Sequence, residues 1–262
     1  MQNSLPKSIV FITGAFISHT CWDEWIVYFE NQGYTCLAPA WPYKYAAAED
    51  LRNRPVVDPI AINNIASVTE YFAAVINSLP EKPILVGHAV GGLIVQLLLQ
   101  RQIGAAGVAL HSFPPAGVNR FRFSFLKAVW ETMMLLTSNR QTYLVSFRKW
   151  KYVIANGLTC EQQKELYYKY VIPESKKIIR DIFKCRTTIN FRKSHQPLLF
   201  TSGSHDKLIS PQLNYSNYKK YTTDSSVTEY RKFKNQPHLV FGHPGWKKEA
   251  DFILYWLQEI NK

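Results

Sequence analysis

The chain has 262 residues, 47% of them hydrophobic and 19% charged, with 12 glycines and 14 prolines. This is an ordinary globular composition, with room for one large α/β domain or two small ones. No apolar run approaches the roughly 20 residues that cross a bilayer. The stretch Met1–Lys7 lacks the length of a secretory leader, so a cytoplasmic location without a transmembrane segment is expected. The net charge of +12 is concentrated between Arg120 and Lys193, where Lys and Arg outnumber Asp and Glu by 16 to 5. No nucleic-acid signature accompanies it, so it reads as a solvated helical surface and no nucleic-acid partner is expected.

In chain order, Lys7–Thr13 is a β-rich apolar run ending in Gly14-Ala15, which suits a buried strand. Trp22, Trp25, Ile26 and Phe29 recur at helical spacing up to the stop at Gly33. Tyr34–Ala38 reads as a second strand, and Ile62–Leu79 carries helical periodicity. Pro83–Val86 is a short apolar strand with a helix, Val90–Arg101, launched from its end; Gly107–His111 is another buried strand. Pro197–Thr201 and Val227–Phe233 read as two more strands, and Trp246–Ile260 as an amphipathic closing helix. Strands alternating with helices imply a mostly parallel sheet of about six strands covered on both faces.

The stretch from Ser112 to Ser194 breaks that rhythm, with helical patterns at Phe123–Leu136, Leu144–Ile154 and Cys160–Tyr170. About 80 residues cannot be a bare loop in a compact domain. The expected organisation is a core of residues 1–112 and 195–262 with a helical cap inserted at 113–194. The four cysteines, Cys21, Cys36, Cys160 and Cys185, lack any Cys-x-x-Cys or Cys/His pairing, so reduced thiols and no metal site are expected.

The densest chemical signal is Gly87-His88-Ala89-Val90-Gly91, between a strand and a helix. The strand–turn–helix nucleophile elbow has the pattern Gly-x-Ser-x-Gly, its glycines making room for a strained central residue. Every feature is present except the serine, whose place is taken by Ala89. The loop Thr13-Gly14-Ala15-Phe16 at the end of the first strand would supply one oxyanion-hole N–H from Ala15, and Val90 the other, with Phe16 shaping the wall. Leu199 to Asp206 is an apolar strand running through Gly203 into an aspartate, which puts a carboxylate at the carboxyl end of the sheet. Two histidines, His238 and His243, follow the last strand. His238 is preferred because it is nearer the strand end, whereas His243 adjoins the Pro-Gly that starts the helix. The order nucleophile position, acid, histidine separates this arrangement from other serine-hydrolase folds.

On these motifs the sequence resembles the compact α/β-hydrolase superfamily, in particular members that begin at the oxyanion strand, as plant methylesterases and hydroxynitrile lyases do. It is closer still to bacterial α/β hydrolases with a Gly-Ala-Phe segment and a His-x-x-x-Gly-x-Pro-Gly-Trp tail, matched here by His238, Gly242, Pro244, Gly245 and Trp246. The resemblance implies the fold, a triad and hydrolysis of a carboxylic ester, thioester, lactone or amide without a cofactor.

The departure is decisive for activity, because an alanine methyl cannot attack an acyl carbon. A chain that keeps acid, histidine and oxyanion loop is expected to be an engineered serine-to-alanine, substrate-trapping variant; the alternative is a natural ligand-binding pseudoenzyme. A lyase or cofactor-free oxygenase working through the His–Asp pair alone is a third reading. Phe16, Trp22 and His88 near the elbow, with Phe113 and Trp130 from the cap, are the candidates for contact with a small ester-like substrate.

Overall fold

The computed structural model describes residues 5–118, 140–183 and 187–262. Six parallel strands form one sheet: β1 (Ser8–Ile12), β2 (Thr35–Leu37), β3 (Ile84–His88), β4 (Ala106–Leu110), β7 (Leu198–Gly203) and β8 (Thr228–Phe233), in the order β2-β1-β3-β4-β7-β8. The interior strands are apolar on both faces, so both must be covered, as a parallel sheet requires. One face, with Phe11, Val86 and Val108, packs on α1 (Asp23–Glu30) and α9 (Trp246–Glu259) through Trp25, Phe29, Ile253 and Trp256. The other, with Ile12, Leu85 and Phe200, packs on α3 (Ile65–Asn77), α4 (Val90–Gln100) and α8 (Pro211–Tyr218). This is the expected α/β-hydrolase architecture with its six strands.

The chain runs outward from β1 to β2 and then returns to β3 on the other side of β1. Ligands of open α/β sheets bind at such a reversal, outside the carboxyl ends of the strands. The loops after β1 and β3 flank it.

Between β4 and β7 the described residues form a two-stranded antiparallel ribbon, β5 (Thr142–Tyr143) with β6 (Glu174–Ser175), and three helices: α5 (Phe147–Val153), α6 (Cys160–Tyr170) and α7 (Lys176–Phe183). The α6 bounds match the sequence expectation, and a Thr159/Gln162 capping box fixes its start. The ribbon, α7 and the short α2 (Ala48–Arg52) are additions to the sequence reading: the ribbon strands and α2 are too short to show a period, whereas α7 has one, with Ile178, Ile179 and Ile182 on its buried side. The expected helix Phe123–Leu136 lies outside the described residues. Among the described residues no helix is long and apolar enough to cross a membrane. Cys21, Cys36 and Cys160 are free thiols, and Cys185 also lies outside the described residues.

Candidate active site

The turn from β3 into α4 has the geometry its sequence demands. Ala89 has φ 53° and ψ −110°, a conformation costing an L-residue of order 1–3 kcal/mol, retained only where the surroundings impose it. They do: the Ala89 N–H donates to the Leu110 carbonyl (2.9 Å), and the Ala89 carbonyl accepts from Phe113 N (3.1 Å) and Leu93 N (3.3 Å). A Cβ on Gly91 would lie 2.0 Å from the Ile12 carbonyl oxygen, and one on Gly87 would lie 2.3 Å from the Gly91 carbonyl oxygen. Glycine is therefore the residue that fits at both positions.

The oxyanion-side loop lies against this turn. A Cβ on Gly14 would meet the Ala89 methyl at 3.2 Å and His88 Nδ1 at 3.3 Å. Among the described residues, neither the Ala15 N–H nor the Val90 N–H donates to another protein group. Phe16 differs. Its N–H donates to Glu174 Oε2 (3.2 Å), its carbonyl accepts from Ile172 N (2.9 Å), and φ is 68°. Its ring packs edge-on to Tyr143. Phe16 thus ties the loop to the β5–β6 ribbon. Glu174 is buried and ion-paired to Lys44, whose ammonium also lies 4.4 Å from the Trp41 ring centre.

Asp206 follows β7, and its carboxylate is fully subscribed. Oδ1 accepts from Leu208 N (2.8 Å) and Ile209 N (2.7 Å), while Oδ2 accepts from His238 Nδ1 (2.8 Å). Burial alone would raise the Asp206 pKa, but His238 and His111 outweigh it and hold the carboxyl far below the usual range. Asp206 and His238 are both buried, and the bond to Asp206 fixes a proton on His238 Nδ1, leaving Nε2 as the basic nitrogen. His243, the competing candidate, spends Nδ1 on the Gly245 N–H (2.9 Å).

Two of the expected substrate contacts have buried side chains engaged with other residues. Trp22 is fully buried, stacked on Phe11 (4.9 Å between ring centres) and edge-on to Trp25 and Phe241, so it is part of the core between sheet and α1. His88 is also buried, with Nε2 donating to the His238 carbonyl (2.9 Å). Burial, reinforced by the neighbouring His238 and His111, pushes its pKa well below the ordinary histidine value. A neutral His88 therefore anchors the backbone of His238 from the residue beside Ala89. Phe113 is nearly buried and follows the elbow's own hydrogen-bonded segment. Trp130 lies outside the described residues.

Ser112 does not offer a free hydroxyl in place of the missing serine. Ser112 is buried, accepting from Gln96 Nε2 (2.7 Å) and donating to the Phe113 carbonyl (3.0 Å).

Reasoning from sequence missed His111 and Glu249. His111, just past β4, directs Nδ1 at Asp206 Oδ2 (3.2 Å), and buried Glu249 of α9 lies 3.5 Å from its Nε2. The one signal was a histidine ending an otherwise apolar buried strand. His111, Asp206 and His238 offer three ligand atoms within 4.8 Å of one another. Both of those nitrogens already point at the same carboxylate oxygen, which serves proton holding rather than a cation.

A sequence model of the alpha/beta hydrolase family matches residues 9–244. The chain belongs to that family. A search of curated protein sequences finds no match. Among solved structures, the chain is similar to a monoacylglycerol lipase from Paleococcus ferrophilus at 16% identity and TM-score 0.71, covering 97% of this chain and 95% of that one. It is similar to a methylesterase from Arabidopsis at 12% identity and TM-score 0.68, covering 96% and 98%. It is similar also to a variant of tomato methylketone synthase I complexed with beta-ketoheptanoate, at 15% identity and TM-score 0.70, covering 98% and 100%. At these identities the likeness is one of fold alone.

Proposed function

We propose that the chain carries the substrate site and acid–base apparatus of a carboxylic-ester hydrolase, with Ala89 at the nucleophile position, and that as written it binds an ester-like small molecule with little or no turnover. The observation that carries this reading is the bond from His88 Nε2, beside the strained Ala89, to the backbone of His238, whose Nδ1 bonds Asp206. With a serine at 89, His238 Nε2 would take the hydroxyl proton as oxygen attacks the acyl carbon. Asp206 would hold the imidazole tautomer, and the Ala15 and Val90 N–H groups would receive the oxyanion. Residues 113–194 form the lid of this site in the same reading. Without the hydroxyl, the hole and binding alone leave a rate roughly 10³–10⁴ over water.

The test is Ala89→Ser. It is expected to raise aryl-ester hydrolysis by on the order of 10⁶; no gain in a folded variant that still binds the ester would overturn the reading. An engineered replacement explains why acid, base and hole are all kept. The source gene is then expected to read serine at codon 89, whereas an alanine codon makes the chain a natural ligand-binding member of the fold.

A second reading is favoured by the intact acid–base pair in a site without a nucleophile, and by structures of similar fold complexed with beta-ketoheptanoate and 2-tridecanone. Loss of CO₂ from a β-keto acid leaves the bonding electron pair on an enolate. The Ala15 and Val90 N–H groups would stabilise its oxygen, and a protonated His238 would deliver a proton to carbon, giving a methyl ketone. This reaction needs no residue 89 side chain. It predicts that the chain as written releases CO₂ from beta-ketoheptanoate and that His238→Ala abolishes release; no release above background rejects it.

A further inference from the structure

The oxyanion-side loop is held from outside the elbow. After β1, its residues run antiparallel to the segment that leads into β6. The Ile172 N–H donates to the Phe16 carbonyl (2.9 Å), Ile17 bridges Val171, and the Ser18 N–H donates to the Tyr170 carbonyl (2.8 Å). Further along that segment, Glu174 reaches back with its side chain. Its Oε2 accepts from the Phe16 N–H (3.2 Å) and from Lys44 Nζ, and its Oε1 accepts from the Ser175 N–H (2.8 Å). Glu174 is fully buried and Lys44 is 3% exposed, so each is the other's compensating charge.

This carboxylate holds a strained peptide. Phe16 has φ 68°, a region that a bulky side chain seldom adopts. A trans peptide unit is planar, so the Phe16 N–H and the Ala15 carbonyl point opposite ways. Turning that unit over rotates Ala15 ψ and Phe16 φ together, which would carry φ into the ordinary negative range and relieve the strain. It would also aim the Ala15 carbonyl oxygen at the Glu174 carboxylate, setting acceptor against acceptor. The carboxylate therefore favours the strained orientation over the relaxed one. On the other side of Ala15, Gly14 packs on the elbow, where a Cβ would meet the Ala89 methyl at 3.2 Å. Ala15 is thus held from both sides.

We propose that Glu174 is a positioning residue of this site, with Lys44 as its counter-charge: it locks the Ala15–Phe16 peptide in the strained orientation and so keeps the Ala15 N–H aimed as an oxyanion donor. The inference rests on the reading of Ala15 as that donor, which both chemistries proposed above use.

One arm of the test needs no turnover, so its failure is distinct from failure of the hydrolase reading. In NMR of the labelled chain with Ala89 in place, the intraresidue HN–Hα NOE of Phe16 is strong only where φ is positive, because the two hydrogens are then closest. It is expected to be strong in the unsubstituted chain. Lys44→Met with Glu174→Leu replaces the pair by apolar side chains and leaves no buried unpaired charge. The NOE should then weaken severalfold as the peptide turns over. Glu174→Asp keeps the anion beside Lys44 but withdraws it by one methylene from the Phe16 N–H, and should weaken the NOE less. The second arm places the same changes in Ala89→Ser and reads aryl-ester hydrolysis. There the apolar pair should lower kcat about 10²-fold, the loss expected for one oxyanion donor, with KM little changed. A pair that only stabilises the fold would shift the melting temperature and leave NOE and kcat where they were. A weak NOE in the unsubstituted chain, an NOE unmoved in the folded apolar pair, or an unmoved kcat in an active Ala89→Ser background overturns the proposal. If the apolar pair does not fold, Glu174→Asp decides by the same readouts. If Ala89→Ser hydrolyses nothing, the hydrolase reading fails and the NOE decides this proposal by itself.

Discussion

The two sides of this site differ in what they have kept. The β3–α4 turn has the strained backbone, both glycines and the two open N–H groups that a nucleophile needs, yet its reactive group is a methyl. The β7 and α9 side keeps the hydrogen-bonded Asp206–His238 pair, with His111 and Glu249 behind it. The contrast teaches that the backbone of an elbow is imposed by its surroundings: close packing on Ile12 and hydrogen bonds to Leu110 and Phe113 hold it whatever side chain residue 89 bears. Geometry and chemistry are therefore separable here, and the first can persist without the second.

The sharpest way to break the comparison is to make the sides equal, since Ala89→Ser carries the largest expected effect, given above. In that background Asp206→Asn should cost about 10⁴ in kcat with little change in KM, because the amide would favour the wrong His238 tautomer. A loss below tenfold in steady-state kinetics would separate Asp206 from the base. Packing at the elbow is probed by Gly91→Ala, which forces a methyl onto the Ile12 carbonyl oxygen and should destabilise by about 3 kcal/mol in urea unfolding. A neutral result would mean that the turn is not held by close packing.

The smallest effect is the pH dependence of stability, whose sign follows from the buried groups. Asp206 has a depressed pKa, so its stabilisation is present above the unfolded carboxyl value of about 4 and is lost as pH falls below it. His88 is held neutral, so protonation of the unfolded chain erodes stability as pH falls below about 6.5. His111 has a raised pKa: its contribution, on the order of 3 kcal/mol, is complete below about 6.5 and is lost as pH rises to about 9. Urea midpoints should therefore peak near neutral pH and decline on both sides. The alkaline decline should vanish in the His111→Gln, Glu249→Gln pair.

Much of this was legible in the sequence because short-range constraints write themselves locally. Gly87 and Gly91 flank Ala89 since a Cβ at either would collide, and an apolar strand before Asp206 sets that carboxylate at the sheet's edge. His238, nearer the strand end than His243, is the one whose Nδ1 bonds Asp206. Contacts between distant parts of the chain leave no such local mark. Trp22 neighbours the oxyanion loop in sequence but turns into the core against Phe11 and Phe241, a choice fixed by elements more than 200 residues apart. His88 has the spacing of a pocket residue, yet its ring is spent on the His238 backbone. The pairing of His111 with Glu249 joins β4 to α9, and no local pattern couples them.

The most direct measurement is intact-mass and peptide mapping after exposure to a fluorophosphonate, comparing the chain as written with Ala89→Ser and with Ala89→Ser, His238→Ala. A single adduct on residue 89 is expected in the serine variant alone, with none in the alanine chain and a strongly slowed reaction without the histidine. Equal labelling of the alanine chain, or labelling of the serine variant that ignores loss of His238, would contradict the assignment of residue 89 and His238 to one reacting site.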